Sequence, residues 1–181
     1  MTAALKEWGA AVHALLDGRQ TVLLRKGGIG EKRFDVQAQE FLLFPTVAHS
    51  HAERVRPEHR DLLAAAAPDS TEDRVVVRAA AKVVAAIAVQ NDSGLADIED
   101  LHIWTAESVR VDRLDFRPRH RLTVLVVQAL PVVEPLVLAR DPAYRGCTSW
   151  IDLPATAKLA APVHDTGGLA AVAARVRAAV G

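Results

Sequence analysis

The stretch "LTVLVVQAL", residues 122–130, decides the fold of this chain. It is apolar throughout except at Thr123 and Gln128, and its valines favour an extended backbone. A continuous apolar run, without polar alternation, is typical of a strand that is buried on both faces. The sequence therefore predicts a central β-strand here. Prolines 131, 135 and 142 predict irregular structure after it.

Two further apolar runs lie nearer the N-terminus. Val75 to Val89 is rich in alanine, which favours a helix, yet its valines and near alternation favour a strand, and we predict a strand for most of it. Glu40 to Phe44 predicts a short strand that Pro45 ends.

The segment from Ala3 to Leu16 has helical spacing, but its last residues lead into Asp17-Gly18, a strong hairpin signal. We predict an antiparallel pair of strands, residues 10–16 and 20–25.

Four helices are predicted. A helix over Leu62 to Ala67 has Pro57 and an acid before it, and Pro68 stops it. Short helices are expected over Leu95 to Leu101 and Thr105 to Leu114, and a C-terminal helix over Gly168 to Val180.

These elements predict an α+β fold. We expect a mostly antiparallel sheet or partly open barrel, a few short helices and the C-terminal helix. At 181 residues the chain predicts one domain, with two β-rich lobes (about 10–50 and 75–153) joined by a helix as a possible arrangement.

Composition limits the function classes. Lys plus Arg and Asp plus Glu number 22 each, so nucleic-acid binding would need a local basic patch. One cysteine excludes an internal disulfide and a thiolate-rich zinc site. No apolar run approaches the roughly 20 residues of a membrane span. We expect a cytoplasmic protein without a membrane partner. Its oligomeric state stays open.

The first candidate site is "RKGG", residues 25–28. Backbone amides of a glycine-rich turn can hold a phosphate, and Arg25 and Lys26 would add charge. Neither the Walker spacing nor the dinucleotide fingerprint occurs, so a plain turn between strands is the alternative. If Arg25, Lys26 and Glu40 were instead paired in the interior, they would form a structural network.

The second candidate site is a cluster of cations and aromatic residues. Such residues contact phosphates and stack on bases. Its cations are Arg113, Arg117, Arg119 and Arg121, and its aromatic residues are Trp104, Tyr144 and Trp150. The alternative places the tryptophans in the core and the arginines in a solvated loop.

A weak metal motif is His49-x-His51, which places two imidazoles on one face of an extended segment. Glu40 or Glu53 would complete a divalent-metal site. Apart from such a metal, no cofactor is expected.

Other enzyme classes lack their motifs. The glutamate-rich helix of Nudix hydrolases is missing, and Leu42 occupies the position where a restriction-type nuclease needs a lysine. Cys147 has no assignable base nearby in sequence, so a buried thiol is the simpler interpretation.

Six segments together carry a resemblance to a known family. They are "ALKEW" (4–8), "LLRKGGI" (23–29), "EFLLFPT" (40–46), "HIW" (102–104), "RPRHRL" (117–122) and "YRGCTSW" (144–150). The chain resembles a bacterial family catalogued only as a domain of unknown function, number 1802. This resemblance implies membership without a reaction. The second half also looks distantly similar to PUA-like domains, several of which bind RNA.

Three functional hypotheses follow. The first is a nucleotide- or nucleic-acid-binding domain that uses the arginine and tryptophan surface. The second is a metal-dependent phosphoester hydrolase with His49 and His51 at its metal. The third is a non-catalytic accessory protein whose apolar sheet edge pairs with another chain. Whether the protein is an enzyme is left open by the sequence.

Overall fold

The computed structural model describes residues 1–28, 32–47 and 50–181. Six strands form its centre. They are β1 (Thr2–Trp8), β2 (Val22–Lys26), β3 (Glu40–Thr46), β4 (Arg74–Ala88), β5 (Leu122–Ala139) and β6 (Trp150–Leu153).

Helical segments lie between and after the strands. The α-helices are α1 (Gly9–Leu16), α2 (His51–Arg54), α3 (Asp61–Ala66), α4 (Ala106–Val109) and α5 (Thr166–Val180). Short 3-10 segments span Pro57–His59, Ala67–Asp69, Asp92–Leu101 and Pro142–Tyr144, and a π-helical segment, Arg110–Asp115, continues α4. None of the helices in the described ranges is long and apolar enough to span a membrane.

The strands form one sheet in the order β2-β5-β4-β3-β1-β6. All neighbouring pairs are antiparallel except β1 and β3, which are parallel. The sheet curls strongly, because Arg25 on β2 donates hydrogen bonds to Lys6 O and Glu7 Oε2 on β1 although three strands separate β1 from β2. The predicted α+β class with a mostly antiparallel sheet is confirmed.

Both faces of β5 are buried over residues 122–129, which explains the continuous apolar sequence there. Leu125 and Val127 pack on the concave side with Leu5 and Phe41, whereas the alternate residues face α5 on the other side. The predicted strand over residues 122–130 is therefore confirmed. It also continues through Pro131 and Pro135 to Ala139, where an irregular segment was expected.

The predicted hairpin at Asp17-Gly18 is wrong. Residues 9–16 form helix α1, and the strand before it, β1, lies at residues 2–8. Gly18 has φ +78° and follows the helix end, and the amide of Arg19 donates to the carbonyl of Ala14 at 2.9 Å. Helix ends and tight hairpin turns both commonly use a glycine with positive φ, so the same dipeptide is compatible with either.

The remaining expectations are confirmed in location with some differences in type. β4 covers the predicted strand over residues 75–89, and β3 runs one residue beyond Pro45. Residues 92–101 are 3-10 helical, and 105–114 divide into α4 and the π-helical segment. Helix α5 is present as predicted, and the Asp165 side chain caps it by accepting a hydrogen bond from the amide of Gly168.

Candidate functional site

A wide basic groove lies at the end of the sheet where β4 finishes and β5 begins. Its volume is about 700 Å³. Segment 32–35 and residues 119–121 form two of its walls. The groove is lined by Lys32, Arg33, Asp35, Ala88, Gln90, Arg119 and Arg121. We call this feature the basic groove.

The four cations of the basic groove are exposed and outnumber the one carboxylate that lines it, Asp35. Within the described ranges, none of the four forms an ion pair with a carboxylate. The groove walls are nevertheless fixed, because the amide of Arg121 donates to Lys32 O and its guanidinium donates to Gln90 Oε1, both at 2.8 Å. The groove is thus a preformed concave surface with a local positive charge.

Lys26 holds the loop that leads into the basic groove. Its ammonium donates to the carbonyls of Leu114 at 3.3 Å, of Arg117 at 3.0 Å and of Phe116. Burial lowers the pKa of Lys26, whereas the nearby Asp92 raises it. Arg117 adopts φ 50°, an uncommon backbone conformation for a side-chain-bearing residue, at the point where this lysine binds the chain. Lys26 therefore makes structural contacts.

Phe116 presents an exposed aromatic ring on the same loop. Its side chain is 56% exposed, and the guanidinium carbon of Arg117 lies 5.0 Å from its ring centre. The chain has only four phenylalanines, and the others are buried. An exposed ring beside an arginine is a surface on which a flat group can stack.

Arg25 points into the curled sheet. Its guanidinium donates to Glu7 Oε2 at 3.1 Å and lies 5.2 Å from the ring centre of Phe34. Glu40 is exposed at the start of β3, opposite Lys82. The structure does not pair Arg25, Lys26 and Glu40 with one another. Arg25 and Lys26 each have protein partners of their own.

The two predicted tryptophans lie in different environments. Trp104 is 5% exposed and packs edge-on against Trp8, with ring centres 5.3 Å apart. Trp150 is half-buried, lies near-parallel to Phe34 at 6.0 Å and donates from Nε1 to Asp35 O. It borders a second cleft of about 320 Å³, which Cys147 also lines. Cys147 is exposed, so the expectation of a buried thiol is wrong.

Arg113 is the unusual residue of the buried cluster around Trp8. Its Nε is buried, and the side chain has no hydrogen-bond partner among the described residues. Burial lowers the pKa of Arg113, Glu7 raises it, and Arg25 lowers it further. A cavity of about 10 Å³, lined by Trp8, Trp104 and Arg113 among others, adjoins it. We call this space the arginine cavity.

Of the predicted metal pair, His51 lies within the described ranges. His49 lies outside the described residues. His51 is 6% exposed, and its ring packs against Trp8 at 4.5 Å. Burial lowers the pKa of His51 to about 4, so its imidazole is neutral at physiological pH. No group of three or more His, Cys, Asp or Glu that could hold a metal occurs within the described ranges.

Sequence reasoning missed several residues around these sites. Of the basic groove it named Arg119 and Arg121. It did not name Lys32 or Arg33, although "KRF" at 32–34 is a basic pair beside an aromatic residue. Glu7 was also missed. Its role depends on the curl of the sheet, which brings it to Arg25, and local sequence carries no signal for that contact.

Comparison with known proteins gives a distant structural likeness. No curated protein matches the chain at a significant level. Crystal structures of ASCH from Zymomonas mobilis and of a mutant of that protein align with TM-scores of 0.44 and 0.45. Both are 15% identical to this chain, and the alignments cover 71% and 72% of each chain. At these TM-scores we base no conclusion on the likeness.

The family itself follows from the sequence match. Residues 4–175 match the family described as "Domain of unknown function (DUF1802)". This span contains every segment on which the resemblance was based, and the chain belongs to this family.

Proposed function

We propose that the protein binds single-stranded nucleic acid in the basic groove. The observation that supports this function is a concave surface of about 700 Å³ on which four exposed cations lack a carboxylate partner in the described chain. Phosphate groups are the anions that such a row of exposed arginines and lysines contacts best.

The exposed aromatic ring of Phe116, three positions before Arg119 in the sequence, favours a single strand over a duplex. Phe116 is 56% exposed and follows the helical segment that Lys26 fixes. A base can stack on this ring only when it is free of its own base pair. Trp104 and Arg25 are internal in this arrangement, so they would support the site without touching the strand.

Phosphate contact is tested by the salt dependence of binding. We expect a labelled single-stranded RNA or DNA to bind the protein, as measured by fluorescence anisotropy, and its affinity to fall as the salt concentration rises. Removing two phosphate contacts with Arg119→Ala and Arg121→Ala should lower the slope of log affinity against log salt by about 1.4, since each contact contributes about 0.7.

A matched double variant controls for lost charge. Arg74 and Lys158 are exposed, lie away from the groove and have no carboxylate partner in the described chain, so Arg74→Ala with Lys158→Ala removes the same charge elsewhere. Its slope should stay as in the unmodified protein. Equal slopes for the two double variants, or no binding at low salt, would contradict the proposed function.

Stacking is tested separately at Phe116. Phe116→Ala should cost about 1–3 kcal/mol of single-strand affinity without changing the salt slope. Phe116→Trp keeps a flat ring and should retain binding. A duplex of the same sequence should bind equally to both variants, and a loss with the duplex as well would show that the ring is not a stacking surface.

A second candidate function is a contact surface for another protein chain. Its support is that Val133 and Val137 on β5 are 49% and 63% exposed. Val133→Thr with Val137→Thr would then abolish the comigration of a partner in size-exclusion chromatography. A partner that stays bound to this variant would exclude the two valines as its contact surface.

A further inference from the structure

Arg113 is partly exposed as a residue, but its buried Nε lacks the carboxylate or the hydrogen-bond acceptor that a buried guanidinium group normally has. Its Nε is inaccessible to solvent and unpartnered among the described residues. Desolvating a guanidinium is costly unless an anion compensates it. A counter-ion at this position would therefore stabilise the guanidinium group of Arg113.

The charges around Arg113 cancel one another and leave the charge of Arg113 itself uncompensated. Arg25 and Arg54 add two positive charges, and Glu7 and Asp112 add two negative ones, all four acting on Arg113. Glu7 already accepts hydrogen bonds from Arg25 and from the amide of Trp8, and Asp112 accepts from Arg54. Both carboxylates are thus engaged, and the cluster of three arginines keeps one uncompensated positive charge.

Space for a ligand lies beside this charge. The arginine cavity, at about 10 Å³, has room for about one water molecule. A cleft of about 260 Å³, which we call the outer cleft, shares Arg54, Ser108 and Asp112 with its wall. The Arg54–Asp112 ion pair, at 2.5 Å, therefore belongs to the boundary between the two spaces.

We infer that Arg113 is the anchor of a binding site for a small carboxylate, with the carboxylate group in the arginine cavity and the rest of the ligand in the outer cleft. The bound carboxylate supplies the missing negative charge and accepts from the guanidinium of Arg113. Because the cavity holds only one water-sized particle, Asp112 must shift for a carboxylate to enter. The carboxylate of Asp112 thus competes with the carboxylate of the ligand for the same arginines.

The walls restrict the ligand to a monoanion. Glu53 and Glu107 line the outer cleft beside Asp112, so a polyanion such as a nucleoside triphosphate would be repelled at the entrance. Trp8 and Trp104 make the inner wall aromatic and exclude further charge. This ligand class differs from the polyanion that we propose for the basic groove, and the two sites are independent.

The test follows the Nε–H signal of Arg113 by nuclear magnetic resonance while acetate is added at constant ionic strength. The signal is assigned by its loss in Arg113→Gln. We expect a saturable shift at acetate concentrations up to about 100 mM, a range suited to a fragment with so few atoms. Inorganic phosphate in place of acetate should give a weaker response, because the outer cleft is acidic.

Two variants should change acetate binding in opposite directions. Binding should weaken by at least about 30-fold in Arg113→Gln, as read from tryptophan fluorescence, because the buried positive charge is lost. Asp112→Asn should instead bind acetate more tightly, since the competing carboxylate is gone. Arg110→Gln, which removes an exposed arginine that pairs with Asp115, is the matched control and should bind normally.

Three outcomes would overturn the inference. These are an Nε–H signal that acetate does not shift, an Asp112→Asn variant that binds acetate more weakly while it melts at the normal temperature, and loss of the response in the Arg119→Ala, Arg121→Ala variant. The last result would place the acetate in the basic groove, and it would not contradict the proposal that nucleic acid binds there. Loss of nucleic-acid binding alone would leave the carboxylate site standing.

Discussion

Glu7 is the carboxylate that balances the inward-facing arginines, and replacing it should destabilise the fold strongly. Its side chain is 3% exposed and accepts from Arg25 at 3.1 Å, and its charge also acts on Arg113. Glu7→Gln keeps the shape but leaves two inward-facing guanidinium groups without this charge. Removing one partner of a buried ion pair costs about 3–5 kcal/mol.

The lower end of this range applies here. Arg25 is 14% exposed, so water partly screens its charge after the substitution. We therefore expect a loss of about 3 kcal/mol, which lowers the melting temperature by roughly 6–12 °C for a chain of this size.

Replacing the arginine partner of Glu7 should lower the free energy of unfolding by less. Arg25→Met removes the hydrogen bonds to Glu7 and to Lys6 O, but Glu7 then still faces the charge of Arg113. The summed charge of the three arginines, Glu7 and Asp112 falls from +1 to zero in Arg25→Met, whereas it rises to +2 in Glu7→Gln. We expect the loss of unfolding free energy to be smaller than that of Glu7→Gln by at least about 1 kcal/mol.

Urea unfolding at neutral pH, followed by circular dichroism, measures both losses. Glu134→Gln serves as the control, because this carboxylate is exposed and has no ion-pair partner in the described chain. It should change stability by less than about 0.5 kcal/mol. Equal losses for Glu7→Gln and Arg25→Met would refute the view that Glu7 serves two arginines.

Three further predictions concern stability. Gly94→Ala places a Cβ 1.8 Å from the carbonyl oxygen of Ala179, and should lower the unfolding free energy in urea by about 3 kcal/mol, whereas Gly167→Ala should not. Asp69→Asn should cost about 3 kcal/mol in the same assay, because the 1% exposed carboxylate accepts from a histidine and an arginine. Burial lowers the pKa of His102 from 6.5 to about 3, so the unfolded chain takes up the proton first as pH falls. The free energy of unfolding should therefore be highest above pH 6.5 and should fall by up to about 1.4 kcal/mol for each pH unit between 6.5 and about 3. In His102→Asn the midpoint of urea unfolding should depend less steeply on pH over this range.

Each of these has a contrary result. A Gly94→Ala protein as stable as the unmodified one would mean that the helix ending near Ala179 shifts freely. An Asp69→Asn variant that loses nothing would mean that its two partners are satisfied by water. A His102→Asn protein with the same dependence on acid would assign that dependence to other groups, of which His51 is the first to examine.

Burial explains which strands the sequence predicts well. Residues 122–129 of β5 are mostly apolar because the cluster on the concave side covers one face of the strand and α5 covers the other, so each residue there must suit a buried position. β1 is different. Its sequence, "TAALKEW", contains helix formers, and it is extended because β3 and β6 pair with it on both sides. Pairing with strands that are distant in sequence leaves no local signal.

The same limit applies to the site. The sequence shows that arginines and lysines cluster near residues 25–26 and 113–121. Whether each of them is paired inside the fold or exposed depends on a partner that is distant in sequence. Arg25 meets Glu7, which lies 18 positions away, across the curl of the sheet. Arg121 meets Gln90, which lies 31 positions away, and remains exposed. Local sequence cannot separate a cation that supports the fold from one that faces a ligand.

Zero net charge does not weaken the case for an anion-binding surface, because opposite charges can lie on different parts of the surface. The chain has 22 basic and 22 acidic residues, whereas the lining of the basic groove has four basic residues and one acidic residue, Asp35. The lining of the outer cleft has Glu53, Glu107 and Asp112 and one arginine, Arg54. The charge is therefore separated over the surface. A polyanionic strand is drawn to the basic groove and repelled from the outer cleft, while a small monoanion can reach Arg113 without competing for the groove.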